Sequence, residues 1–483
     1  MSFTVAIVGG GISGLAAAHR LLQRRPELRV TVYEASARVG GIIRTERVDG
    51  YTIEAGPDSF ISAKPRGVGL STELGLDSRF QGTNDENRGS FLLRGGKLHP
   101  MPEGLTGLIP TRLGPMVKTG LISPWGKLRM ALDFVKPPVP GDEDETLEHF
   151  IERRLGGEAY RNLIEPLMAG IYSGNGAELS LAATFPQLRT AERLRGGLIK
   201  GVLAARREAQ MRPIGQQQRQ GFLSFQTGLH ELPDALHERI VAMGGEVLLE
   251  RAVERVERRG DGTYLLTVDG SSERVPADAV ILATPATVSA GLLQGIDADA
   301  ASAMAAIPQV STALIALGLR VGPDAQPPKG FGYLVPRAER RPVKAMTWLS
   351  SKWANRAPAG HLLIRAFVGR SGEQEILQRS DAELVRIVQD ELREVVDIIA
   401  EPEVSRVYRW PLAMPQYTLG HLDRVERIET AAARIPGLAI AGNMFRGVGI
   451  PDCIESGESA SGRILEYYST VRAVDHKASG RAG

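Results

Sequence analysis

Phe3-Thr4-Val5-Ala6-Ile7-Val8-Gly9-Gly10-Gly11-Ile12-Ser13-Gly14, followed by Leu15 to Arg24 and by Arg29 to Glu34, decides the fold. An apolar run, a glycine turn, a helical stretch and a second apolar run make one βαβ unit. In Gly9-x-Gly11-x-x-Gly14 the first glycine permits the tight turn, the second lets backbone approach a pyrophosphate, and the third lets helix pack on strand. The helix start then offers free N–H groups and the positive end of a dipole to phosphates. Glu34, at the end of the second strand, is placed to accept hydrogen bonds from ribose hydroxyls. Strand, turn, helix and acid in register make this a dinucleotide site rather than a chance glycine loop.

Working outward, Glu246 to Leu249, Val253 to Val256, Tyr264 to Val268 and Ala279 to Leu282 read as further short strands. Leu438 to Gly442 is another, leading through a glycine-rich loop into a helical stretch from Cys453 to Tyr468. Three separated pieces, 1–85, 222–290 and 434–470, are therefore expected to build one discontinuous nucleotide domain. The first insert, 86–221, carries helical patterns over Thr146 to Leu155 and Gly157 to Met168 and a polar basic stretch from Arg206 to Gln220. The second, 291–433, mixes strands (Ala313 to Val321, His361 to Val368) with a helix from Asp381 to Val396. Residues 471–483 are expected to be a disordered tail.

Composition narrows the function. The chain has 483 residues, 43% of them apolar, enough for several domains. Its 58 basic and 56 acidic residues leave +2, so no bulk field points to nucleic acid. A single cysteine, Cys453, excludes an internal disulfide and fits a reducing compartment. No signal core precedes the first strand and no apolar run reaches bilayer length, so a cytoplasmic protein is expected, at most peripheral to a membrane. The eight histidines show no metal-binding spacing, so no metal site is expected. His99 and His421 read as structural, and Cys453 as a small buried apolar residue. The basic residues Arg189, Arg193, Arg195, Lys200, Arg206 and Arg207 read as solvated helix faces.

The continuation Glu34-Ala35-Ser36-Ala37-Arg38-Val39-Gly40-Gly41 resembles the extension found across FAD-containing amine oxidases, phytoene desaturases and porphyrinogen oxidases. Gly447-Val448-Gly449-Ile450-Pro451-Asp452-Cys453-Ile454 resembles the porphyrinogen oxidases in particular. Gly56-Pro57-Asp58-Ser59-Phe60, Leu98-His99-Pro100-Met101-Pro102, Gly170-Ile171-Tyr172 and Met414-Pro415-Gln416-Tyr417 extend that likeness from about residue 3 to 465.

The resemblance implies an α/β fold: an FAD/NAD(P)-binding Rossmann-like domain of amine-oxidase type, a mixed α+β substrate domain and a helical insert. It implies FAD held by Gly9, Gly10, Gly11, Ile12, Ser13 and Gly14 at the pyrophosphate, and by Glu34 and Ala35 at the ribose. Further contacts fall to Arg38, Gly40, Gly41 and Ile42, to Gly56, Pro57, Asp58 and Ser59, and to Val253 at the adenine. Trp410 and the loop Val448, Gly449 and Ile450 would lie close to the flavin ring.

Within the family the chain resembles the Gram-positive type that oxidises coproporphyrinogen III to coproporphyrin III. Ser90 stands before Phe91-Leu92 where mitochondrial and plastid protoporphyrinogen oxidases carry an arginine. Lys64 falls where the coproporphyrinogen type has an active-site lysine, and a tetra-propionate substrate calls for such a cation. The implied reaction removes six electrons as three hydride transfers to flavin N5, with O2 as acceptor and hydrogen peroxide as product, so no catalytic triad is expected. Protoporphyrinogen IX oxidation is the alternative; an amine oxidase and a flavin-free porphyrin carrier are the remoter ones. Transient contact with a downstream ferrochelatase is compatible with this reading.

Overall fold

The computed structural model describes residues 3–479 apart from 103–104, 107–108, 111–112, 142, 211–220, 270–273, 323–326 and 328. Most of the polar stretch noted before Gln220 therefore lies outside the described residues.

Strands β1 (Thr4–Val8), β2 (Arg29–Tyr33), β3 (Glu246–Leu248), β4 (Ala279–Leu282) and β5 (Leu438–Ile440) form one parallel sheet in the order β3-β2-β1-β4-β5. The near-continuous apolar sequences of β1 and β4 follow from this, because packed elements cover both faces. Helix α1 (Ile12–Arg24) and the terminal helix α2 (Ile450–Ser479) cover one face around Leu15, Leu21, Leu22, Ile454 and Ile464. The other face packs Val8, Leu282 and Ile440 with the small sheet Val253–Arg258, Tyr264–Val268 and Val275–Ala277. Pieces more than 400 residues apart thus share a single sheet.

A seven-stranded sheet faces this domain, ordered Pro402–Pro415, Gln309–Arg320, His361–Val368, Val343–Trp348, Gly332–Leu334, Phe91–Arg94 and Lys97–Pro100. Alternation along His361–Val368 divides its sides. Leu362, Ile364, Ala366 and Val368 pack beneath the helix Asp381–Val396, while Leu363 and Phe367 turn to Tyr51, Ile53 and Ala55 of the nucleotide domain. That helix begins with a full capping box at Ser380 and Glu383.

The helical insert has its own core around Phe150, Ile151, Tyr160, Leu163 and Met168. Two expectations are corrected here. Residues 91–100 were assigned to the helical insert, yet they form a hairpin at the edge of the seven-stranded sheet, where Leu93 joins that sheet's core. The tail expected from 471 is helical to Ser479, because Val471 still packs on the nucleotide-domain core and Tyr468 donates to Glu27 at 3.1 Å.

Candidate active site

The glycine turn makes a cradle that is closed below and open above. A Cβ on Gly14 would sit 1.9 Å from the Gly9 carbonyl oxygen, one on Gly9 2.6 Å from that of Ala283, and one on Gly10 2.9 Å from Glu34 Cβ. A Cβ on Gly11 would meet nothing within 4 Å. Helix α1 has no side-chain cap at Gly11 and no acid in its first turn, so the N–H groups of its first turn and its dipole remain available to an anion. The Ser13 hydroxyl points away, donating to the Cys453 carbonyl at 2.8 Å, which leaves its backbone for the cradle.

Glu34 closes one side. Its Oε2 accepts from Gly10 N at 2.7 Å, and its Oε1 accepts from Ser36 N at 2.9 Å and the Ser36 hydroxyl at 2.6 Å. The turn leading to Val253 docks against it: Glu34 N donates to Leu248 O at 2.9 Å and Arg251 N to Glu34 O at 2.9 Å. Val253 is buried and Ala35 is exposed.

Arg38 organises its own loop, donating to the carbonyls of Val39 at 3.0 Å, Ile43 at 3.1 Å and Gly41 at 2.6 Å. Gly40 N donates to Gly10 O at 2.8 Å, tying that loop to the cradle. Ile42 is left partly exposed, and its carbonyl would lie 2.0 Å from a Cβ on Gly56.

Residues 55–59 are clamped from the opposite sheet. Trp410 Nε1 donates to Ala55 O at 2.8 Å, and Arg365 donates to Gly56 O. Asp58 accepts from Lys352 at 2.8 Å and Trp353 Nε1 at 3.1 Å, with Arg365 at 3.5 Å and the Ser59 hydroxyl donating at 2.9 Å. Burial would raise the Asp58 carboxyl, but Lys352 and Arg365 hold it well below the usual carboxylate range. Pro57 spans this clamped segment between Gly56 and Asp58. The sequence reading missed Lys352, Trp353 and Arg365. A signal existed for Arg365, a lone charge within the apolar run Leu362 to Val368.

The loop before α2 meets the helical insert, where Val448 packs against the core that includes Tyr172 and Tyr417. Gly447 N donates to the Tyr417 hydroxyl at 2.9 Å, and that hydroxyl donates to Asn443 O at 2.5 Å. His421 stacks on Tyr417 at 4.1 Å and bonds Phe445 O through Nε2; burial pushes its pKa down to about 4. Cys453 is buried and its thiol is pushed up to about 12 by burial. His99 is half-buried on the edge hairpin. Ile450 begins α2, and Gly449 N donates to Asp452 Oδ2 at 3.2 Å. Lys64, directly before the helix Pro65–Glu73, bonds both Asp452 oxygens at 2.5 and 2.6 Å.

The cradle's room above Gly11, its uncapped helix start and the nearby Glu34 carboxylate suit a dinucleotide pyrophosphate and ribose, so these residues fit FAD. A dinucleotide cradle closed by the seven-stranded sheet across a charged seam is the arrangement of an FAD-dependent oxidoreductase. The chain belongs to the flavin-containing amine oxidoreductase family, whose profile matches residues 12–465. It is 37% identical to the coproporphyrinogen III oxidase of Bacillus subtilis, with 96% of this chain and 98% of that one covered. It is 32% identical to a chloroplastic protoporphyrinogen oxidase of Nicotiana tabacum, with 96% and 85% covered. A crystal structure from Exiguobacterium sp. 255-15, provisionally assigned as a protoporphyrinogen oxidase, superposes with a TM-score of 0.84 at 34% identity, covering 96% of this chain and 99% of that one. The expected fold class and cofactor are thus borne out.

Proposed function

We propose that the protein oxidises coproporphyrinogen III to coproporphyrin III, with O2 as terminal acceptor, in haem biosynthesis. The observation that carries this reading is the position of Lys64. Its ammonium stands beside the loop 447–452, where nucleotide domain and helical insert meet. A cation there is suited to a substrate bearing four propionates, since a carboxylate leaving water needs a charged partner.

FAD, when bound, would supply two-electron acceptor chemistry. In this proposal Gly9 to Gly14 would hold its pyrophosphate, Glu34 and Ala35 its ribose and Val253 its adenine, with further contacts from Arg38, Gly40, Gly41 and Ile42. Arg365, Lys352 and Trp410 fix the 55–58 segment, the stretch that would pass the flavin, so that this wall does not move between successive oxidations. Val448, Gly449 and Ile450 would lie close to the flavin ring. Lys64 orients the macrocycle through a propionate. No acid–base triad is required, because the protein's work is binding, orientation and exclusion of side reactions.

Protoporphyrinogen IX is the second substrate to consider, favoured by the 32% identity to the chloroplastic enzyme. Aerobic turnover of flavin-loaded protein on both porphyrinogens, followed by porphyrin fluorescence, separates the two. A clear preference for coproporphyrinogen supports the proposal, and a preference for protoporphyrinogen replaces it.

The proposal sets the enzyme in the cytoplasm, handing product to a ferrochelatase, with peripheral membrane contact. Among the described residues no helix is long and apolar enough to cross a membrane. Support for surface contact comes from Trp125, Leu128 and Leu132, spaced along one helical stripe and 79%, 57% and 41% exposed. Lys118 and Lys127 accompany them, and between residues 113 and 141 the only acid, Asp133, is buried against Arg154.

A further inference from the structure

Asp452 already pairs with Lys64, the cation proposed above for a substrate carboxylate. Both of its oxygens lie within 2.6 Å of the ammonium. The Lys64 side chain is half exposed while that of Asp452 is only 13% exposed, so the acid is fixed and the lysine is the partner free to swing. Asp452 is fixed by its loop. Its Oδ2 accepts from Gly449 N at 3.2 Å, and its Cγ lies where a Cβ on Gly447 would come within 2.4 Å. Gly447 holds φ at +129°, a conformation that side chains rarely adopt, so the loop leaves the carboxylate its place.

We infer that Asp452 is a specificity-determining residue that competes with substrate propionate for Lys64, so that only a carboxylate better placed than Asp452 captures the lysine. This rests on the substrate role proposed for Lys64. Asp452 then tunes affinity downward: it neutralises the cation in the free enzyme, and its charge repels an incoming anion. A macrocycle presenting four carboxylates has more ways to displace it than one presenting two.

The test is binding of coproporphyrin III to flavin-loaded protein, read by porphyrin fluorescence anisotropy, for wild type, Asp452→Asn, Lys64→Met and the double variant. Asparagine keeps an acceptor for Gly449 N while removing the charge; if it does not accumulate as yellow protein, Asp452→Ser supplies the same comparison. The expected result is a Kd lowered about two- to fivefold in Asp452→Asn, the equivalent of releasing one partly exposed ion pair. Lys64→Met is expected to weaken binding and to abolish the gain in the double variant. Weaker or unchanged binding in Asp452→Asn, with Lys64→Met still weakened, overturns competition but spares the role of Lys64. A gain that persists in the double variant also overturns competition. Unchanged binding in Lys64→Met removes the role of Lys64, and this inference with it.

Discussion

The Asp58 carboxylate and the Lys352 ammonium meet at 2.8 Å across the junction between the nucleotide domain and the seven-stranded sheet. Each lies in a different part of the chain, and neither side chain is more than 14% exposed. With Arg365 and Trp353 they form a buried polar seam in which every charge depends on its neighbour.

Breaking that seam by Lys352→Met is expected to lower unfolding free energy by roughly 3 kcal/mol, the scale for stranding one partner of a buried pair. Asp58→Asn is expected to remove acid sensitivity as well. Its carboxyl is depressed in the fold, so its contribution is present above the ordinary carboxylate range and is lost as pH falls through that range toward the folded value. Urea unfolding of both variants between neutral pH and about pH 3, spanning the ordinary Asp value, checks this; equal stability at all pH values would remove the seam as a stabilising element.

Glu54 carries the opposite sign. It is fully buried, accepts from Thr45 at 2.8 Å and Leu229 N at 2.9 Å, and lies 3.8 Å from Arg356. Burial pushes its pKa up to about 7 despite Arg356. The folded state therefore binds more protons than the unfolded chain between the ordinary carboxylate value and pH 7. Stability from this group falls as pH rises through that window, by as much as ~3 kcal/mol. The difference in unfolding free energy between wild type and Glu54→Gln is expected to change over that window and to level off above it.

Gly14→Ala and Gly457→Ala are expected to act differently although each Cβ meets backbone. At Gly14 the Cβ would overlap the Gly9 carbonyl at 1.9 Å, deforming the cradle, so the purified protein should be nearly colourless. At Gly457 it would lie 2.1 Å from Ser13 O, prising α2 from α1. A lowered Tm with part of the flavin retained is the expected result. The ratio of flavin to protein absorbance, measured beside thermal unfolding, separates the two.

Lys64→Ala is expected to raise KM for coproporphyrinogen about tenfold while kcat holds, the scale for losing one charge-assisted contact that is made alike in ground and transition states. An unchanged KM would remove Lys64 from the substrate site.

Trp125→Ser is expected to reduce co-sedimentation with vesicles containing anionic lipid and to leave turnover unchanged. Wild-type protein that ignores such vesicles at low salt would dispose of the peripheral contact.

The stretch from Phe3 to Glu34 determined the nucleotide domain by itself, because its glycine spacing, strand pattern and terminal acid are local chemistry, legible wherever the chain ends up. The repeat of apolar strands near 246–282 and 438–442 was legible for the same reason. The Asp58 seam was not: Lys352 and Arg365 lie about 300 residues from Asp58, and nothing in either local sequence names its partner. The edge hairpin at 91–100 escaped because two short strands carry no mark of which sheet they will join. The terminal helix outran its expected end because Val471, one turn beyond Tyr468, stays on the core. Lys64 could be picked out from sequence, but that it faces Asp452 is a consequence of α2 packing against the helix Pro65–Glu73, where a Cβ on Gly67 would lie 3.1 Å from Pro451. Local pattern fixes what each segment becomes, whereas charge pairing between segments is settled only when burial brings them together and leaves no water to take the partner's place.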